Sequence, residues 1–168
     1  MNALDADRVA MIHEAISSLP RWRRWWAEWS FRKRGEAWQR ILSAYDSVDR
    51  VLCGRLQTPT EDWQPGLLVA TDRSLLFLWF YLSTVGLGDH SFGLGPDPAN
   101  MVVPDLGLWE TSYASIQSVS TEPGWFDAKR LLFKTSARNY AVLAISPRSS
   151  AVPFADLLRS RIGDKEDK

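Results

Sequence analysis

Apolar residues recur at helical spacing through the first third of the chain. Val9, Ile12, Ile16 and Leu19 share one face of a helix predicted over residues 4–19, with Asp5 and Asp7 near its start, where the helix dipole favours acids. Pro20 interrupts the pattern and suits the first turn of a second helix. Trp22, Trp25, Trp26 and Trp29 then follow at i, i+3, i+4 and i+7, within an arc of roughly 100°. The next apolar set, Trp38, Ile41, Leu42 and Tyr45 with Val48 at its end, would sit roughly 150° round from that stripe on one unbroken helix. Either the chain breaks near Gly35, or one helix shows two faces to two partners. Gly35 closes the run Arg32-Lys33-Arg34 and has the make-up of a C-terminal cap, so the break is the expectation.

After residue 48 the period changes. VLCGRLQ (51–57) reads as a strand, TPTEDWQPG (58–66) as a turn-rich connection, and 66–71 and 74–82 as two β-prone runs joined at Thr71-Asp72-Arg73-Ser74. Residues 83–107 are rich in Gly and Pro without period and are expected to form a loop. Residues 110–122 read as one bent strand or two short ones. Residues 129–137 and 139–146 read as a hairpin. Val152, Ala155, Leu158 and Ile162 predict a closing helix over 147–162, with Ser149 or Ser150 near its start. The fold class is therefore α+β. A helical region of two or three helices (1–47) precedes a partly open antiparallel barrel of six or seven strands (48–163, with a long loop over 83–108), closed by the C-terminal helix. A polar tail (164–168) ends the chain.

A chain of 168 residues forms one domain, or a small domain with an appendage, and its 45% hydrophobic content is enough for a true core. Twenty basic and twenty acidic residues balance to zero, so no whole-molecule field steers it to polyanions. The charge is nevertheless segregated. Residues 21–34 hold six basic residues and four Trp against one acid, Glu28, whereas Ser74 to Ala128 contains six acids and neither Lys nor Arg. Cys53 is the single cysteine, which allows no intrachain disulfide and fits a reducing compartment. The N-terminus carries acids where a secretory signal needs a basic start, and the longest apolar stretch, Leu75 to Leu82, is far short of the roughly 20 residues of a spanning helix. The expected setting is cytoplasmic, with peripheral contact to a membrane as the addition to be tested.

Three stretches together resemble a bacterial pleckstrin-homology-like domain: GLLVATDRSLLFL (66–78), YASIQSVS (113–120), and the hairpin KRLLFKTSARNYAVLAI (129–145) followed by a helix. Members of that family commonly show Gly, two hydrophobic residues, and then Thr-Asp/Asn with a basic residue entering the next strand. Here Arg73 directly follows Asp72, and Ser74 stands at the second basic position. The resemblance covers roughly residues 48–163. It implies two roughly orthogonal antiparallel sheets closed at one end by a helix, serving as a scaffold for protein, peptide or lipid without catalytic activity. Phosphoinositide-binding members grip phosphates with basic residues around the first hairpin loop. In this chain that loop carries Glu61 and Asp62 and no basic residue, which speaks against a lipid-headgroup role.

Candidate chemistry is sparse. His13 and His90 are 77 positions apart and Cys53 stands alone, so no zinc ligand spacing exists and no metal or cofactor is expected. No nucleophile elbow is present, and the glycines of GLGDHSFGLG do not follow phosphate-binding spacing. That loop reads as an interaction lid through Asp89, His90 and Phe92. The chain is expected to be no enzyme but a binding module, taking a protein or peptide or assembling with copies of itself through its N-terminal helices. The candidate contact residues are Trp22, Trp25, Trp26, Trp29, Arg21, Arg23 and Arg24. Peripheral binding to a membrane surface through an amphipathic helix at 20–34 is the alternative, and nucleic acid is the weakest reading. For the Trp stripe itself the leading expectation is packing within the protein or an oligomer, with the acidic middle of the chain as first candidate for its cover.

Overall fold

A computed structural model describes residues 3–57, 63–80, 100–103, 108–124, 128–136, 138–146 and 150–163. Two helices, α1 (Ala3–Ser17) and α2 (Arg21–Ser43), lead into eight strands. These are β1 (Val48–Gln57), β2 (Trp63–Thr71), β3 (Ser74–Trp79), β4 (Asn100–Val103), β5 (Leu108–Ser112), β6 (Ile116–Pro123), β7 (Lys129–Thr135) and β8 (Asn139–Ser146). One 3-10 turn, Tyr113–Ser115, joins β5 to β6, and α3 (Ala151–Gly163) follows the sheet. All pairings are antiparallel, in the order β4-β5-β3-β2-β1-β8-β7-β6. This is the expected α+β architecture: leading helices, an antiparallel sheet whose end strands do not pair to close a barrel, and a final helix packed on it.

The pattern of burial explains why both sets of helices are there. All six residues of β3 are buried, as are residues 66–71 of β2. Alternate side chains enter two different cores. Leu52, Leu56, Leu68, Ala70, Leu75, Phe77 and Trp79 pack on one face, with Phe154, Ala155 and Leu158 of α3. Cys53, Leu67, Val69, Leu76 and Leu78 pack on the other, with Ile12 and Ile16 of α1 and Trp38 and Leu42 of α2. A strand pair that is apolar on both faces is stable only when both are covered.

The expected break at Gly35 does not occur: α2 runs unbroken from Arg21 to Ser43. Gly35 is buried inside the helix. The helix continues because its second half has a strong reason to be helical, namely Trp38 and Leu42, both sealed against α1 and the sheet. The two apolar sets therefore lie on opposite faces of one helix. The loop expected over 83–107 also differs, since residues 100–103 form β4 and pair with β5, Met101 opposite Glu110 and Val102 opposite Trp109. Met101-Val102-Val103 is too short to show a period, and β5 supplies its register. Eight strands therefore stand among the described residues, against the six or seven expected. In α3 Ala155 and Leu158 are buried as expected and Ile162 packs partly buried, but Ala151 and Phe154 complete the buried stripe and Val152 is 45% exposed.

The turn between β2 and β3 fastens α2 to the sheet. Asp72 accepts hydrogen bonds from the backbone N–H groups of Asp46 (3.1 Å) and Ser47 (3.4 Å). Arg73 donates to the carbonyl of Ala44 (2.6 Å), and its guanidinium lies 4.7 Å from the centre of the Tyr45 ring. Arg8 of α1 donates to the carbonyls of Tyr45 (2.7 Å) and Asp46 (3.1 Å). Two guanidiniums thus meet the carbonyls at the C-terminal end of α2, where the helix dipole is negative. Midway along the helix, Arg34 donates to the carbonyl of Trp79 at the end of β3 (2.7 Å), and burial lowers its pKa.

These contacts set three expectations. A Cβ at Gly35 would lie 3.5 Å from the Phe31 ring, ordinary contact in a helical conformation, so Gly35→Ala should stabilise the protein by about 0.5–1 kcal/mol in urea unfolding. A Cβ at Gly66 would lie 2.3 Å from the Leu78 carbonyl and 2.6 Å from the Phe77 ring, so Gly66→Ala should cost at least ~2 kcal/mol in the same assay. Burial raises the Tyr45 phenol from 10.0 to about 12, helped by its hydrogen bond to Glu110 (2.8 Å). The fold therefore favours the neutral phenol. Its contribution is intact below pH 10, where the unfolded tyrosine is also neutral, and is lost as pH rises from 10 toward 12. Urea midpoints across that window should fall more steeply for wild type than for Tyr45→Phe.

Candidate functional site

The first half of α2 is shaped by what its inner face can accept. Ala27 and Ser30 are fully buried, and Ala27 packs with Ile12, Ala15, Ile16 and Leu19 of the α1 region. Small side chains there let the two helices approach closely, and the bulk of the segment is turned the other way. Trp22, Trp25, Trp26 and Trp29 are 67%, 58%, 51% and 41% exposed. The expectation that this stripe packs within the chain is thus not met. Four of the six acids in the segment expected to cover it, Asp89, Asp97, Asp105 and Asp127, lie outside the described residues.

The Trp side chains organise one another. Trp25 and Trp26 meet edge to face with ring centres 4.7 Å apart, and Trp26 and Trp29 do so at 6.1 Å. The Arg23 guanidinium lies 4.5 Å from the centre of the Trp22 ring, and the Lys33 ammonium 6.0 Å from that of Trp29. Arg21 is fully exposed, whereas Arg24 is half-buried and donates to the carbonyl of Leu19 (3.1 Å). Arg32 pairs loosely with Glu28 at 4.0 Å, both in solvent, a contact of little energetic weight.

Three of these Trp overhang a groove of about 560 Å³ between α2 and the outer face of the sheet. Its helix side is Trp22, Arg23, Trp26 and Trp29; its floor includes Cys53 and Arg55 of β1 and Pro65 of β2, and Phe80 and Ile145 complete it. Cys53 is buried, and burial pushes its thiol well above the usual range, so it is a protonated floor residue rather than a nucleophile. Arg55, Pro65, Phe80 and Ile145 were not foreseen. For Arg55 the signal was available: in VLCGRLQ it alternates with Cys53 on one face, opposite Leu52 and Leu56. Asp89, His90 and Phe92, expected to form an interaction loop, lie outside the described residues. Asp72 and Arg73, the most polar residues of the resembling motif, are engaged at the α2–β1 junction. Among the described residues no group of three His, Cys, Asp or Glu could hold a metal ion, and no helix is long and apolar enough to cross a membrane.

Fold and site together define an α+β scaffold, an antiparallel sheet with helices on both faces, that carries an apolar, arginine-bearing groove between α2 and the sheet. Among solved structures the chain is similar to the C-terminal domain of an unknown protein from Leishmania infantum (16% identity, 80% of this chain and 96% of that one, TM-score 0.46). It is also similar to the pleckstrin homology domain of USP37 (13%, 68% and 98%, 0.42) and to the DH/PH domains of p115-RhoGEF (14%, 95% and 42%, 0.45). No protein-family model matches the sequence, and no curated protein matches it.

The position of Cys53 gives a direct check on the groove floor. Its thiol should react with iodoacetamide at least a hundredfold more slowly in the folded protein than in 8 M urea, and mass spectrometry of the alkylated protein reads this out.

Proposed function

We propose that this chain is a non-catalytic binding module of the bacterial pleckstrin-homology-like type whose docking surface is the Trp/Arg face of α2. It takes a protein or peptide there, or a second copy of the chain. The single observation that carries the reading is the exposure of Trp22, Trp25, Trp26 and Trp29 on a helix whose opposite face is fully engaged. A contiguous apolar patch on a folded surface marks an interaction site, and Trp and Arg dominate the energetically important positions of such interfaces. The reading is also supported by the polar residues that might have served chemistry: Cys53 is sealed and protonated, and Asp72 and Arg73 hold backbone groups.

A second reading, peripheral binding to a membrane from the cytoplasmic side, is favoured by one further observation. Exposed Arg21, Arg32 and Lys33 lie beside the same stripe, as in helices that rest in the headgroup region of anionic bilayers.

Light scattering during size exclusion over a range of protein concentrations separates these readings when combined with co-sedimentation on anionic vesicles. Wild type is expected to associate as concentration rises and to stay in the supernatant. The double variant Trp22→Ala with Trp25→Ala should be monomeric, with stability within about 1 kcal/mol of wild type because both side chains are exposed. A wild type that is monomeric throughout excludes assembly of copies. Pelleting of wild type but not of the variant replaces protein docking with the membrane reading.

A further inference from the structure

The groove beneath the Trp stripe has a charge feature that its apolar lining does not account for. Arg23 enters from the helix and Arg55 from the central strand β1. The Nε atoms of both are buried with no hydrogen-bond partner, and neither guanidinium is matched by a carboxylate among the described residues. Both arginines line the same groove, and burial first, with the charge of Arg55 second, lowers the pKa of Arg23. Like charges brought together in an apolar setting, with donors left over, are stabilised by an anion that accepts from both. A carboxylate matches the forked geometry of a guanidinium.

The remainder of the groove says what the anion is attached to. Beyond Arg23 and Arg55, the lining is aromatic and aliphatic: Trp22, Trp26, Trp29, Phe80 and Ile145, with Leu19 at one end. Its volume of about 560 Å³ falls within the roughly 300–1,000 Å³ of sites that hold small molecules, which are apolar with a few placed polar groups. A peptide strand cannot extend the sheet at this point, because β2, β1 and β8 each already have a neighbour on both sides.

We propose that the groove is a binding site for a single-chain organic anion, a long-chain carboxylate whose head lies between Arg23 and Arg55 and whose alkyl chain runs along Trp22, Trp26, Trp29, Phe80 and Ile145. The groove shares Trp22, Trp26 and Trp29 with the docking surface proposed above, whereas Trp25 belongs to the exposed stripe alone and Arg55 lines the groove from the sheet.

Isothermal titration of the full chain with decanoate, well below its micelle concentration, tests this against three companions: decanol, decyltrimethylammonium and acetate. Decanoate should bind at one site, decanol at least tenfold more weakly, and the cation and acetate without measurable heat. Arg23→Gln and Arg55→Gln should each weaken decanoate at least tenfold and leave decanol unchanged. Both variants should melt no lower than wild type, since each removes a like-charged neighbour, whereas arginines with a merely structural role would lower the melting temperature when replaced. Trp25→Ala should bind decanoate as wild type does. Equal binding of decanoate and decanol, no binding of either, or unchanged decanoate affinity in both arginine variants would overturn the proposal. Self-association is read separately, by light scattering without ligand.

Discussion

The structure depends on a strand pair that has no solvent side. In β2 and β3 successive side chains enter opposite cores, so each face of the sheet needs its own cover. The helix α3 supplies one, as in any small sheet closed by a terminal helix. The other is supplied by α1 and α2, which are therefore integral to the packing and share a continuous core with β1, β2 and β3.

From that constraint the geometry of α2 follows. Trp38 and Leu42 dock its second half onto the sheet, Arg34 fixes its middle to the Trp79 carbonyl, and Arg8, Asp72 and Arg73 hold its C-terminal end. The first half continues along the same axis, past Leu19 and over the outer face of β1, and leaves the groove between. Its Trp face is exposed because the helix is anchored elsewhere and is long enough to overhang. The polar turn at Asp72-Arg73 sets the helix, and the helix sets the site.

Much of this was legible in the sequence. The order of elements, the hairpins, the helix starts at Pro20 and the closing helix all followed from period and turn chemistry. The two-faced burial was written in Leu75–Trp79, a run with no polar position, which a strand shows when both sides are covered. What local pattern could not settle was competition between local and long-range terms. Gly35 has the composition of a cap, but the burial of Trp38 and Leu42 outweighs about 1 kcal/mol of glycine propensity. β4 exists through its pairing with β5 rather than through its own pattern. Of the site, the Trp stripe was visible in spacing and the face of Arg55 in the alternation of β1, whereas Phe80 and Ile145 join them only because the chain returns to the same place from the ends of two further strands.

The central position of β1 bears on how the molecule is built in time. Its partner on one side, β2, follows at once, but its partner on the other, β8, is the last strand of the sheet. Until β8 arrives, the backbone of residues 53–56 has an open hydrogen-bonding edge in the middle of what will become the floor of the groove. Closure across so large a sequence separation is slow compared with formation of α1 and α2, whose contacts are local. The floor of the groove is therefore the last part of the sheet to gain its full set of backbone partners, and it is the part most open to mispairing while the chain is incomplete.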